Sequence, residues 1–233
     1  MDRHFLYLKK YVGILSFKGE RGGRQKATGC LFNYNGEWLV ATAAHCIFDI
    51  DIGEFNRDFH FFLPDRRIEL ELLDIAFHSN WIELFAPEYD IAFFRIAHSS
   101  DVYTQSLDEA FVQPKFEVSY NNVFDLVGYP MSFLLFNKFH IDSNKIGKYD
   151  ETYNSTLIGI SSKAKGGMSG SPLLILENSK FKIVGTVSLS FNSEKDTLWS
   201  AKWNEEIKMI LDFITLKNIH PPIYMVRKSM KGN

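Results

Sequence analysis

Apolar positions along this chain fall in short runs, and long helical stripes are rare. Runs rich in aliphatic and aromatic residues cover residues 11–17, 29–32, 38–42, 67–77, 91–96, 123–128, 155–161, 172–176 and 181–189. Turn-forming clusters separate many of them, such as NYNG at 33–36 and GYP at 128–130. Many short strands that are divided by turns predict an all-β sandwich or barrel.

One segment has the period of an amphipathic helix instead. Its apolar residues follow the spacing i, i+4, i+7, i+8, i+11, at Trp203, Ile207, Ile210, Leu211 and Ile214. This spacing places them on one helix face. Pro221 and Pro222 are expected to end the helix, because proline cannot continue it.

Composition narrows the class of protein. A length of 233 residues suits one large all-β domain or two smaller lobes. Lys and Arg number 26 against 28 Asp and Glu, so no basic surplus indicates a nucleic-acid partner. The longest apolar stretches are shorter than the roughly 20 residues of a membrane-spanning helix, and no membrane partner is expected. Residues 1–17 are interrupted by Lys9 and Lys10 and resemble no secretory signal, which favours a cytoplasmic location over a secreted one.

Three residues in separate segments have the chemistry of hydroxyl-nucleophile catalysis. His45 follows an apolar strand in LVATAAHC, Asp90 opens the run DIAFFRI, and Ser169 lies in GGMSGSP. A serine hydroxyl needs a nearby base. Histidine can be that base, because its imidazole has an ordinary pKa of ~6.5 and is neutral above it. A carboxylate fixes the imidazole tautomer, and glycines let backbone N–H groups converge on a developing oxyanion.

These segments resemble the three signature segments of the trypsin-like (chymotrypsin-fold) serine proteases, in that family's His, Asp, Ser order. The separation of His45 and Asp90 by 45 residues fits many trypsins, and the resemblance covers residues 11–217. The segment LWSAKWNEEIKMIL resembles the last strand and C-terminal helix of bacterial and HtrA-like members. Because Met168 stands where secreted trypsins have the aspartate that captures the new N-terminus, zymogen activation of that kind is not expected.

The resemblance implies an all-β fold of two antiparallel six-stranded β-barrels with a C-terminal α-helix. Residues 1–105 would form the barrel that carries His45 and Asp90, and residues 106–233 the barrel that carries Ser169. The implied reaction is endopeptidase cleavage of a protein or peptide through an acyl-enzyme, without a metal or cofactor. Two alternatives are a protease that an activating protein partner switches on and a catalytically silent pseudo-protease that binds peptides.

The same resemblance assigns the nucleophile to Ser169 and not to Ser171, and it places the oxyanion hole at the N–H groups of Gly167 and Ser169. An α/β-hydrolase elbow is the competing interpretation of a Gly-x-Ser core. It would need glycine at position 171 and a histidine last in chain order. Neither requirement is met.

A second DIAF segment begins at Asp74, so the sequence offers two candidate aspartates. Asp90 has the family spacing and the following strand, and Asp74 is expected to be a surface strand residue. The family's substrate pocket maps to Ser188, Leu189, Ser190 and Lys163. Lys163 either pairs with an acidic substrate side chain or lies in solvent.

Cys30 and Cys46 are 16 residues apart, as is the family cystine that braces the histidine loop. A disulfide at these positions is one possibility in an oxidising compartment, where it would contribute roughly 3 kcal/mol. Two reduced thiols are expected in a cytoplasmic protein. A zinc site is not expected, because two cysteines and one histidine do not complete a tetrahedral ligand set.

Overall fold

The computed structural model describes residues 3–19, 22–97, 101–131, 138–151, 153–163, 166–191, 194, 196–216 and 225–230. Its strands form two curled, mainly antiparallel half-barrels, and one longer helix follows them. The fold class that the resemblance implied is therefore confirmed.

The first half-barrel is an eight-stranded sheet. Its strands are β1 (Val12–Lys18), β2 (Arg24–Tyr34), β3 (Glu37–Thr42), β6 (Arg57–Leu63), β7 (Ile68–Leu70), β8 (Leu72–His78), β9 (Ala92–Ile96) and β18 (Met225–Ser229). They are ordered β18-β8-β9-β3-β2-β1-β6-β7. Strands β4 (Phe48–Asp49) and β5 (Glu54–Phe55) pair separately.

The second half-barrel contains the remaining strands: β10 (Val112–Pro114), β11 (Val123–Gly128), β12 (His140–Ile146), β13 (Lys148–Tyr149), β14 (Ile158–Ser161), β15 (Pro172–Glu177), β16 (Lys180–Leu189) and β17 (Thr197–Lys202). Its main path is β12-β11-β15-β16-β17-β14-β13, and β10 adds to β16 in parallel. The sheets exceed the six strands expected in each barrel because short strands such as β7 and β13, together with β18, lengthen their edges.

Short helices and turns connect these strands. They are α1 (Arg3–Leu8), α2 (Asn80–Glu83), α3 (Asp101–Thr104) and the 3₁₀ turns Ala44–Cys46 and Pro87–Tyr89. The longer helix α4 (Glu205–Thr215) starts two residues after the predicted Trp203. Asn204 sets that start, because its side chain accepts the Ile207 N–H at 3.0 Å as an N-cap. Pro221 and Pro222 lie outside the described residues.

Trp203 packs where the two half-barrels meet. Its buried ring lies 5.5 Å from the ring of Phe32 and 5.3 Å from that of Phe93, both in the first sheet. The indole N–H donates at 3.0 Å to Thr186 Oγ1 in the second sheet. Helix α4 then returns to the first sheet, where Tyr34 donates its hydroxyl to Asp212 Oδ1 at 2.6 Å. The halves are therefore joined by an aromatic core and by specific hydrogen bonds.

Each predicted apolar run coincides with an observed strand, though bounds differ. The run 67–77 divides at Glu71 into β7 and β8, and only the end of 155–161 is strand β14. The pattern did not predict β6 or β12. Strand β12 in particular has half-exposed or exposed positions throughout, so it lacks the apolar alternation that marks a strand.

The predicted boundary near residue 105 falls between α3 and β10, where the chain passes from one sheet to the other. Strand β18 belongs to the predicted second segment, yet it pairs with β8 of the first sheet. Among the described residues, no helix has the length and apolar character needed to cross a bilayer.

Candidate active site

His45 and Asp90 lie at the same end of two neighbouring strands. Strand β3 leads into the turn that carries His45, and Asp90 precedes β9, which pairs with β3 so that Thr42 faces Ala92. Asp90 Oδ1 accepts the backbone N–H of His45 at 2.8 Å, and Oδ2 lies 2.7 Å from His45 Nδ1. Because a carboxylate only accepts hydrogen bonds, Nδ1 carries a proton, and in the neutral imidazole the lone pair is therefore on Nε2.

The charge of Asp90 also changes the acidity of the histidine. Burial alone lowers the pKa of His45, but the Asp90 carboxylate, with a smaller contribution from Cys46, raises that pKa well above its usual range. The Asp90 side chain is 1% exposed and that of His45 is 34% exposed, so the imidazole reaches solvent while its carboxylate partner does not.

The second candidate aspartate lies elsewhere. Asp74 Oδ2 accepts from Arg95 at 2.6 Å and from Arg227 at 3.0 Å, on the β18 side of the first sheet. Both arginines lower the pKa of Asp74 against the opposing effect of its burial. Of the two aspartates, Asp90 is the one that contacts His45.

The second half-barrel contributes a further hydrogen bond to this pair. Ser188, 5% exposed, donates its hydroxyl to Asp90 Oδ2 at 2.5 Å. Oδ2 thus accepts from His45 and Ser188 together. The sequence assigned Ser188 to substrate binding, and in the structure its side chain bonds the buried carboxylate.

Ser169 lies on a tight turn between two glycines with left-handed backbone, Gly167 at φ 87° and Gly170 at φ 81°. A Cβ on Gly170 would lie 2.2 Å from the Thr28 carbonyl oxygen and 2.3 Å from Thr42 Oγ1. The turn therefore packs directly on the strand end that leads to His45. In addition, the Gly170 N–H donates at 2.8 Å to the carbonyl of Val187, the residue before Ser188.

Hydrogen bonds fix the peptide planes of this turn. The carbonyl of Gly166 accepts from the Met131 N–H at 2.6 Å, and that of Met168 accepts from the Ser171 N–H at 2.9 Å. In a trans peptide the C=O and N–H point in opposite directions. The N–H groups of Gly167 and Ser169 therefore point away from these bonded carbonyls, and among the described residues neither donates to an acceptor.

The two serines of the motif have different surroundings. Ser169 is half-buried, whereas Ser171 is fully buried and its hydroxyl contacts Met168 Sδ at 3.8 Å. Met168 is 1% exposed and packs in the apolar core of the second half-barrel. Of the two serines, Ser169 is the one that reaches solvent.

The structure brings the Ser169 turn against the His45 segment without joining their side chains. Within the described part of the chain, no hydrogen bond links Ser169 Oγ to His45. Such bonds are often long in ligand-free enzymes and tighten when a substrate binds.

The other predicted pocket residues are more exposed than Ser188. Leu189 is half-buried, and Ser190 and Lys163 are exposed. Lys163 borders an open depression with polar and charged neighbours: His140, Asp142, Lys145, Ser161, Ser162 and Asp196. The structure thus presents Lys163 to solvent beside both carboxylates and cations.

Cys30 and Cys46 are buried free cysteines, as in the reduced alternative. Burial raises the pKa of the Cys30 thiol far above its usual range, so this group is not a thiolate at neutral pH. Among the described residues, no group of three or more His, Cys, Asp or Glu side chains is arranged to hold a metal ion.

Sequence reasoning missed two residues beside the site. Trp81, 6% exposed, lies with its ring 6.4 Å from that of His45. Thr28 is fully buried and bonds to the Ser169 turn. Neither occurs in a motif, and no local pattern separates them from ordinary core residues.

Comparison with known proteins agrees with this geometry. The family profile described as a trypsin-like peptidase domain matches residues 27–185. No curated sequence matches the chain at a significant level.

Solved structures share the fold at low identity. A thermostable serine protease, AL20, from an extremophilic microorganism has a TM-score of 0.75 and 18% identity, covering 90% of this chain and 99% of that one. The protease Anisep from Arthrobacter nicotinovorans has a TM-score of 0.70 and 19% identity, over 86% and 93% of the two chains. A Glu endopeptidase has a TM-score of 0.65 and 14% identity, over 91% and 92%. With the profile covering most of the sequence, the chain belongs to the trypsin-like peptidase family.

Proposed function

We propose that this protein is a serine endopeptidase that cleaves peptide bonds through an acyl-enzyme on Ser169. The observation that carries the proposal is the double hydrogen bond between Asp90 and His45, beside a tight turn that presents Ser169. Asp90 holds the imidazole with its proton on Nδ1, which leaves Nε2 as the base.

In the proposed reaction, Ser169 Oγ adds to the carbonyl carbon of the scissile bond while His45 Nε2 takes the hydroxyl proton. The negative charge moves to the carbonyl oxygen. There it accepts hydrogen bonds from the N–H groups of Gly167 and Ser169, each worth roughly 3 kcal/mol in the transition state.

The tetrahedral adduct collapses when its C–N bond breaks and His45 gives its proton to the departing amine. Water then attacks the ester carbonyl as His45 takes one of its protons, and the same proton returns to Ser169 Oγ when the acid product leaves. Asp90 stays ionised throughout, because its role is to stabilise the imidazolium.

Labelling with a fluorophosphonate probe tests this proposal. The wild type is expected to be labelled covalently, because the probe reacts only with an activated serine. Ser169→Ala should abolish labelling. Ser171→Ala should retain it, because Ser171 is fully buried.

Mass spectrometry of the labelled peptide then identifies the modified residue. A wild type that takes no label, or a label on Ser171, contradicts the proposal. Absence of label together with retained peptide binding would favour the silent peptide-binding module.

A further inference from the structure

Thr28 connects the first half-barrel to the Ser169 turn through both its backbone and its side chain. It lies in β2 and is fully buried. Its N–H donates to the Ser169 carbonyl at 2.8 Å, and its hydroxyl donates to the Gly167 carbonyl at 2.8 Å. The same hydroxyl accepts the Tyr129 N–H at 3.0 Å.

We propose that Thr28 is a positioning residue that keeps the oxyanion turn assembled in the chain as it stands, without a cleaved N-terminus or an activating partner. This inference rests on the proposed function and specifies how the same site is regulated.

The argument starts from which peptide planes Thr28 fixes. The Gly167 carbonyl belongs to the peptide before Met168, and the Ser169 carbonyl belongs to the peptide after Ser169. Thr28 therefore holds both peptides that flank the Ser169 N–H, and it fixes the carbonyl of Gly167, the residue that carries the other proposed donor. Gly167 is the residue most able to rotate, since glycine has no Cβ to restrict its backbone.

The opposite side of the turn is held by an uncharged side chain. Met168 is buried in the apolar core of the second half-barrel, and its sulfur accepts from Ser171. A thioether resists withdrawal into water but sets no direction for the neighbouring peptides. Directional contacts to the turn come instead from Thr28, from Met131 and from Val187.

The position of Thr28 is itself fixed. Its carbonyl accepts the hydroxyl of Thr42 at 2.9 Å, and Thr42 ends the strand that leads to His45. Thr28 thus bonds both to the strand that leads to His45 and to the turn that carries the proposed oxyanion donors. A threonine that only joined the two half-barrels would affect stability alone, whereas a positioning residue must affect the rate of the chemical step.

The experiment compares three substitutions in the full chain. Thr28→Val removes both hydrogen bonds of the hydroxyl and keeps the shape, and Thr28→Ser restores the hydroxyl. Thr186→Val is the matched control, because Thr186 is also fully buried and its hydroxyl bonds only Trp203 among the described residues. The measurements are the fluorophosphonate labelling rate at varied probe concentration and hydrogen exchange of a peptide spanning residues 166–173.

We expect Thr28→Val to lower the maximal labelling rate by about tenfold or more. The probe concentration that gives half of the maximal rate should change little. Exchange in residues 166–173 should become faster. Thr28→Ser should restore both values, and Thr186→Val should change neither. Equal labelling rates for Thr28→Val and wild type, or an equal loss in Thr186→Val, would overturn the inference.

A wild type that takes no label would reject the proposed function separately. In that case hydrogen exchange still decides the structural claim. Faster exchange in Thr28→Val supports Thr28 as the residue that holds the turn, and unchanged exchange rejects it.

Discussion

Ser188 and Asp90 are joined by a hydrogen bond of 2.5 Å between Ser188 Oγ and Asp90 Oδ2, across the boundary of the two half-barrels. Asp90 is buried, so each donor to its carboxylate replaces a hydrogen bond to water that the group has lost. Because the same carboxylate oxygen bonds His45, a residue of the second half-barrel helps to orient the imidazole.

Ser188→Ala is therefore expected to lower kcat/KM by roughly 10- to 160-fold, because a hydrogen bond to a charged group contributes about 1.5–3 kcal/mol. Steady-state peptide hydrolysis measures this change. Ser200→Ala is the matched control, since Ser200 is fully buried and its hydroxyl has no partner among the described residues. Equal losses in both variants would show that the Ser188 contact has no special role.

Replacing each of the two candidate aspartates by asparagine separates their roles. Asp90→Asn should reduce kcat by about 10⁴-fold, because an amide favours the wrong imidazole tautomer. Asp74→Asn removes a carboxylate that pairs with Arg95 and Arg227, and it should leave kcat within about twofold. The comparison is kcat for each variant beside its midpoint of thermal unfolding. A large loss of kcat in Asp74→Asn would contradict the assignment.

The raised pKa of His45 predicts the pH dependence of activity. An imidazolium cannot accept the Ser169 proton, so activity should rise as pH increases through the His45 pKa. Because Asp90 raises that pKa, the rise should lie above pH ~6.5, the ordinary value for histidine.

NMR titration of the His45 ring in a Ser169→Ala background measures this pKa directly. Asp90→Asn removes the charge and should move the titration to lower pH. A titration that does not move would mean that Asp90 is not the source of the shift.

Gly170 provides a test of the packing under the Ser169 turn. Gly170→Ala would place a methyl group 2.2 Å from the Thr28 carbonyl oxygen, at a φ of 81° that alanine rarely adopts. We expect a loss of about 2 kcal/mol or more in the free energy of unfolding.

Gly166→Ala is the matched control, because a Cβ there meets no atom within 4 Å. Thermal denaturation compares the two variants. A Gly170→Ala protein as stable as wild type would show that the turn does not pack closely on β2.

The sequence predicted those features that local chemistry encodes. His45, Ser169 and the face of α4 each lie in a segment with its own pattern, so they were identified without a fold. The choice between Asp90 and Asp74 depended on chain spacing, and the hydrogen bonds of His45 now favour Asp90 on geometry.

Other features depend on contacts between distant segments. Thr28 contacts Gly167, which is 139 positions away, and no local signal records that proximity. Strand β12 was missed for a related reason, because a half-exposed strand has little apolar alternation.

The pairing of β18 with β8 has a consequence for synthesis of the chain. Strand β8 precedes the whole second half-barrel in sequence, yet its outer neighbour is made from residues 225–229. Until those residues leave the ribosome, the backbone of residues 74–78 remains an open edge that can pair with another nascent chain. Emergence of residues 225–229, and not completion of the second half-barrel, is thus the step that ends this period of vulnerability to aggregation.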